Sequence, residues 1–413
     1  MMPTISKQRL PRLNRKNASD FFNHSTSTGI VILVFTAFAL IWANSPLLSY
    51  YELFLHYPIA FRFSNVDIAC TFEHVVNDGL MVLFFLIVGL EIKREVLLGE
   101  LSTIKKALLP LIAAVMGVIG PALIFISFTA GTSSARGWGV PVATDIAFAL
   151  GVLALLGNRI PSGLRVFLAA LAIVDDLIAV LIIAVSYSAG LNALMLAAAG
   201  ICTLILIIGN RRRITSIWFY SVLGIALWVL ILCSGIHATI AGVILAMCIP
   251  AKSYSSESSA VNAAEITSPL HRIEHGLGVY VSFCIIPLFA LVNAGVTINP
   301  NLMASLASPV SLGIILGLFV GKQIGITAAV WVSVKIGFAK LPAGVSMRHM
   351  YGMSLLCGIG FTMALFVGHL AFADPHDLAV VKLSVIFGSV ISAVAGTAVL
   401  RSAPTPHHLA PKF

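Results

Sequence analysis

Apolar runs of about 20 residues recur along nearly the whole of this chain, the length an α-helix needs to cross some 30 Å of hydrocarbon. Of its 413 residues, 59% are hydrophobic and 10% are charged, where soluble domains carry about 25% charge. That balance excludes a soluble globular protein and makes the lipid bilayer the main partner. The net charge of +9 would raise the question of nucleic acid in a soluble protein, but here the charges fall between the apolar runs, so no nucleic-acid partner is expected. Cys202, Cys233, Cys248, Cys284 and Cys357 lie inside the runs and act as small hydrophobes; Cys70 alone is near a loop. The basic start (Lys7, Arg9, Arg12, Arg15, Lys16) before the apolar run Gly29 to Ala43 imitates a signal peptide. Many further runs follow, so it reads as an uncleaved first helix.

The expected fold is an all-α polytopic membrane protein with about 12 transmembrane helices. They fall near 28–46, 72–95, 107–128, 139–157, 163–188, 191–210, 216–235, 236–250, 277–296, 309–334, 349–372 and 379–400. Residues 1–27 and 402–413 are then cytoplasmic tails around a transmembrane domain of residues 28–401. Lys and Arg favour cytoplasmic loops. Twenty-one of the 25 basic residues lie in the termini and alternate loops on one side, against Arg62 and Arg136 on the other. Both termini are therefore expected inside.

Lipid cannot satisfy free backbone groups, so a helix interrupted at membrane depth must be buried in protein or line a wet cavity. Two spans carry such interruptions: the fourth, where Gly137-Trp-Gly-Val-Pro141 runs into Ala143-Thr-Asp145, and the eleventh, with Gly358-Ile-Gly360 near its middle. Each is central to a group of three spans, and the two groups run in opposite senses across the membrane. That is the pattern of inverted repeats with a binding site at their interface. Close helix packing is the other use for such glycines.

Asp78, Asp145, Asp175, Asp176 and Lys322 fall inside predicted spans. An ionised Asp or Lys at the bilayer centre costs about 2.5–3.5 kcal/mol, so each needs a partner, water or a function. Adjacent helical residues point about 100° apart, so Asp175 and Asp176 cannot share one role. One is expected to pair with Lys322 and the other to face a hydrated cavity, where protons and a cation compete for the same oxygens. Carboxylates, the Thr144 hydroxyl and carbonyls freed by the broken helix are hard ligands, suited to sodium or lithium. No resident cofactor is expected. Asp78 reads equally as a solvated mouth residue or as part of transport.

Several segments resemble the NhaA-type bacterial sodium/proton antiporters: Val88-Gly-Leu-Glu-Ile-Lys-Arg-Glu95, Pro141-Val-Ala-Thr-Asp-Ile-Ala-Phe-Ala-Leu-Gly151, Ala172-Ile-Val-Asp-Asp-Leu177, Ser234-Gly-Ile-His-Ala-Thr239, Pro287-Leu-Phe-Ala-Leu-Val-Asn-Ala-Gly295, Val320-Gly-Lys322 and Leu356-Cys-Gly-Ile-Gly-Phe-Thr362. The likeness runs from about Gly29 to Leu400. That family is a known example of inverted repeats, so the repeat reading is not independent of the resemblance. The resemblance implies that Asp176 binds the transported cation, that Asp175 takes part in exchange and pairs with Lys322, and that Thr144 and Asp145 belong to two crossed discontinuous helices. It implies electrogenic export of sodium or lithium against inward protons across the bacterial inner membrane, activated at alkaline pH, controlling intracellular pH and sodium. Glu91, Arg94, Glu95, Glu274 and His275 match the family's pH-responsive region, and His237 a further position linked to pH.

This chain departs from many members in reading Gly278-Val279-Tyr280 where a second His and Pro-Trp are common, and in placing His271 before Arg272. The stretch Tyr50 to Phe61 resembles the hairpin through which members form homodimers. Two other readings compete. An intramembrane aspartyl protease needs one Asp from each of two helices, such as Asp145 and Asp176, but the Gly-x-Gly-Asp signature is absent and Lys322 disturbs a shared proton. A solute symporter requires a larger pocket.

Overall fold

A helix satisfies its own backbone groups, so a chain this apolar resolves in lipid into helices packed side by side. The computed structural model describes residues 15–63, 66–188, 190–251 and 268–404. In chain order the helices are α1 (Arg15–Ala43), α2 (Leu48–Leu55), α3 (Phe72–Leu97), α4 (Ile104–Thr129), α5 (Ile146–Leu155), α6 (Ser162–Ser186), α7 (Ala193–Arg211), α8 (Ile217–Leu232), α9 (Ile240–Cys248), α10 (Pro269–Ala294), α11 (Pro309–Lys335), α12 (Met347–Leu356), α13 (Phe361–Ala371) and α14 (Pro375–Arg401). Part of the expected N-terminal tail is helical, since α1 begins at Arg15. Lys7, Arg9, Arg12, Lys252 and Lys412 lie outside the described residues.

Among the described residues, eight helices are long and apolar enough to cross a membrane, or ten when two bent pairs are each counted as one span. The pairs are Ser27–Ala43 with α2, bent by 118°, and α12 with α13, bent by 44°. The seventh and eighth expected spans are the exceptions. α8 has 16 residues and α9 only nine, about 24 and 14 Å of helix, less than the hydrocarbon thickness. Between them the chain turns through Gly235 at φ +83°, a left-handed conformation that glycine adopts without strain. The stretch Tyr50 to Phe61 divides between α2 and β1 (Pro58–Phe63), which pairs antiparallel with β2 (Val66–Thr71) in register from Pro58↔Thr71 to Phe63↔Val66. The hairpin is thus displaced toward β2.

Small residues let the helices that frame the site approach closely. Where α4 crosses α11, a Cβ on Gly120 would lie 2.6 Å from the Gly321 carbonyl oxygen, and one on Gly321 would lie 2.7 Å from the Pro121 Cα. The contact falls on a π-helical turn, Gly317–Gly321, immediately before Lys322. Such turns insert one extra residue into a helix and often mark functional positions. Two more interrupt α3 at Val75–Leu80 and α10 at Val281–Ile285.

Both expected interruptions are present, and they touch. A tight 3-10 helix, Ser133–Val142, is followed by non-helical Ala143-Thr144-Asp145 before α5, and Cys357 to Gly360 separate α12 from α13. The Asp145 N–H donates to the Ile359 carbonyl at 2.7 Å, and the Thr144 hydroxyl to the Cys357 carbonyl at 2.8 Å. Each break supplies partners for the other's freed backbone. Gly360 permits the approach: a Cβ there would lie 2.9 Å from the Ala143 carbonyl oxygen.

Gly321→Val is expected to force α4 from α11, destabilising the protein by about 1–3 kcal/mol. Gly200→Ala, on a helix face with nothing within 4 Å, should be neutral or slightly stabilising. Thermal unfolding in detergent reads the difference, and equal midpoints for the two variants would refute the close-crossing account.

Candidate functional site

The centre is α6, which carries Asp175 and Asp176, both buried. Lys322 Nζ donates to Asp175 Oδ2 at 2.6 Å, with the two side chains 0% and 1% exposed. Their mutual attraction offsets a desolvation cost of several kcal/mol per ion. Asp176, one residue on, turns away and lines a cavity of about 170 Å³. Its Oδ1 and the Oδ1 of Asp175 are buried without a hydrogen-bond partner among the described residues. A buried acceptor left bare costs about 1–3 kcal/mol, so both oxygens are open to a further partner.

The cavity is large enough for several waters, and its polar lining is oxygen: Asp176, Asp145, Glu91, Thr362, Ser282 and Thr28. Thr144 does not line it, because its hydroxyl is held by Cys357. Thr362 occupies that place instead and was not singled out from sequence. Its N–H donates to Asp145 Oδ2 at 3.1 Å and its hydroxyl donates to the same oxygen. Asp145 Oδ1 meanwhile caps α5 by accepting the Phe148 N–H at 3.0 Å. The carboxylates therefore differ in kind. Asp145 is saturated with donors and clasps the two breaks, whereas Asp176 keeps a bare oxygen over the cavity.

Seven further candidates form two groups at opposite ends of the bundle. Glu91 reaches the cavity from α3. One turn on, Arg94 bridges α3 and α10, with Nη1 2.5 Å from Glu274 Oε1 and Nη2 3.5 Å from Glu95 Oε1. Glu95 Oε2 also accepts the Glu100 N–H at 3.0 Å, and Glu274 Oε2 is buried without a hydrogen-bond partner among the described residues. His275 is exposed, its ring stacked on His271 with centroids 6.1 Å apart. At the far end His237 and Asp78, read separately from sequence, come together: His237 Nε2 lies 3.4 Å from Asp78 Oδ1, and its Nδ1 is 2.9 Å from Thr239 Oγ1.

Two more polar features escaped the sequence reading. Lys382 is a second buried lysine, on α14; its position inside the twelfth expected span was the available signal. Asn77 and Asn293 exchange amide hydrogen bonds at 2.8 and 3.3 Å across α3 and α10. Neither asparagine carries a charge, so nothing in the sequence marked the pair.

Comparison with known proteins adds an independent line. A protein family described as Na+/H+ antiporter 1 matches residues 19–400. The chain is 50% identical over 373 residues to the Na(+)/H(+) antiporter NhaA of Caulobacter vibrioides, a match covering 90% of this chain and 87% of that one. It is 45% identical over 383 residues to the protein of that name from Psychrobacter cryohalolentis, covering 92% and 94%. With the one from Mesorhizobium japonicum it shares 47% over 387 residues, covering 93% and 94%.

Lys322→Met is expected to destabilise the protein by about 3–5 kcal/mol by stranding the Asp175 charge, while Lys322→Met combined with Asp175→Asn recovers much of that loss. A double-mutant cycle of unfolding midpoints checks this, and simple additivity would remove the pair. Thr362→Val should cost about 1–3 kcal/mol by baring an Asp145 oxygen. Thr362→Ser, measured the same way, should restore most of it.

Proposed function

The chain belongs to the Na+/H+ antiporter 1 family, and from that footing we propose that it exports sodium or lithium in exchange for inward protons, electrogenically and with activity rising at alkaline pH. The reading makes it a secondary transporter that controls intracellular pH and sodium. The observation that carries it is the contrast among three buried aspartates. Asp175 is paired with Lys322, Asp145 is saturated with donors, and Asp176 presents a bare oxygen to an oxygen-lined cavity.

Asp176 is then the principal ligand of the transported cation, with Asp175 and the oxygens around Asp145 completing the shell. The Thr144 hydroxyl, which donates to the Cys357 carbonyl, stands outside the cavity lining and joins the shell only if it moves toward it. A proton and a cation both neutralise the Asp176 carboxylate, and each makes the other unfavourable there. Cation release thus accompanies proton uptake, and the proton leaves on the opposite face. The rise with pH is assigned to the site itself and to the charged cluster of Glu91, Arg94, Glu95, Glu274 and His275, with His237 as a further candidate. Of these, Glu91 is best placed, since it shares the cavity with Asp176. A shared-proton aspartyl dyad is disfavoured by the same geometry, because Asp145 accepts three hydrogen bonds and Lys322 stands beside Asp175.

The proposed architecture counts α8 and α9 as the seventh and eighth of 12 spans, with the two interrupted segments crossing at their breaks inside inverted repeats. The hydrogen bonds between the breaks favour it. We read the basic loops as cytoplasmic, which would set Arg94, Arg159, Arg211 and Arg348 on that side of the bacterial inner membrane with both termini inside. The cavity is then nearer the cytoplasm and the β1–β2 hairpin is outside, where it is free to join a second copy in a homodimer.

In everted vesicles, sodium or lithium but not potassium should dissipate an imposed pH gradient, more strongly above pH 8 than at pH 7. Asp176→Asn should abolish the response while the protein still inserts. A potassium response as large as that to sodium, or full activity in that variant, would sink the assignment.

A further inference from the structure

At the hairpin end of the bundle, away from the cavity, a second set of ionisable groups is buried that the exchange site does not use. His369 of α13 faces the first turn of α3, its Nδ1 3.8 Å from Glu73 Oε1, and that nitrogen is buried with no hydrogen-bond partner among the described residues. The two side chains are 26% and 14% exposed. Lys382 of α14, 9% exposed, lies within electrostatic reach of both. His74 faces the same group from α3, its ring 2.6 Å from Thr71 Oγ1, and Tyr51 approaches Glu73 from α2 with its hydroxyl donated to the Leu291 carbonyl. Deeper in, His237 packs edge-on to Phe366 and pairs with Asp78, within electrostatic reach of His369. Asp374, His376 and Asp377 at the start of α14 are exposed.

A lysine buried in a membrane segment needs a compensating charge, and Glu73 is the acid within its electrostatic reach. With Glu73 negative and Lys382 positive, the trio is neutral while His369 is neutral and carries one positive charge when His369 is protonated. Its Nδ1 has no hydrogen-bond partner among the described residues and is open to a proton. This charge lies near the His237–Asp78 pair, within electrostatic reach of His237.

We propose that Glu73, His369 and Lys382 form a proton-binding site in the outer mouth, whose occupation places a positive charge on the exit path and opposes re-entry of released cations. The inference rests on the antiport reading. A proton from the outer solution adds to His369 Nδ1 and is held by the Glu73 carboxylate; its return to solution restores the neutral trio. Acidic surroundings thus make export more one-way.

The test measures the apparent KM for sodium at the outer face of oriented proteoliposomes, at outer pH 6 and 8.5 with the lumen fixed. His369→Gln should lower that KM at pH 6 by roughly threefold to tenfold, the effect of removing one nearby charge, and leave it unchanged at pH 8.5. His369→Lys should raise it at pH 8.5 and change little at pH 6. Neither should move the pH profile measured from the inner face. Should both variants fail to fold, Glu73→Gln carries the test by moving the outer titration to lower pH. KM values matching the unmodified protein at both pH values, or equal changes at both, would overturn the outer site while leaving exchange intact. No sodium-coupled proton flux in the unmodified protein would overturn the antiport reading and this inference together.

Discussion

A lysine and an aspartate joined at 2.6 Å with almost no exposure set the terms for the middle of this bundle. Neither charge is tolerable there alone, so α6 and α11 must hold their register for the pair to survive. The machinery around it serves that register. Gly120 and Gly321 bring α4 against α11, and the π-helical turn just before Lys322 adjusts the direction in which the lysine points. With Asp175 neutralised, its neighbour Asp176 is the carboxylate left to bind something else.

The same economy of polar groups governs the two helix breaks. Unwinding a span at membrane depth frees carbonyls and N–H groups that lipid cannot satisfy, and here each break answers the other through Asp145, Thr144, Ile359 and Thr362. The clasp consumes the Asp145 carboxylate and the Thr144 hydroxyl. What remains for a mobile ion is the cavity beside it, bounded by Asp176, Glu91, Ser282 and Thr28. Structural and chemical oxygens are thus separated within a few residues of each other.

Much of this was legible in the residues. Charges inside apolar runs exposed Asp175, Asp176, Asp145 and Lys322, and glycine with proline exposed the interruptions at Gly137 to Asp145 and Gly358 to Gly360. Other features gave weaker signals. That α8 and α9 are short as helices is not registered by hydropathy, and the π-helical turns leave no mark in composition. Lys382 sat in view inside a predicted span, yet its acid Glu73 stands at the start of another helix far away in sequence.

Local chemistry needs no neighbour, and so the order of residues already settles that the chain lives in lipid, roughly where it crosses, where helices break and which charges lie deep. Helical geometry likewise guarantees that two adjacent aspartates diverge. It does not say which one meets Lys322. That depends on how α6 is rotated about its axis and on how far α11 is advanced, and both are set by the close crossing with α4 and the extra residue in the π-helical turn. The exchange of Thr144 for Thr362 at the cavity wall has the same origin. Hydrogen bonds between segments more than 200 residues apart decide which hydroxyl meets the Cys357 carbonyl and which meets Asp145 at the cavity wall, and no local pattern encodes that choice.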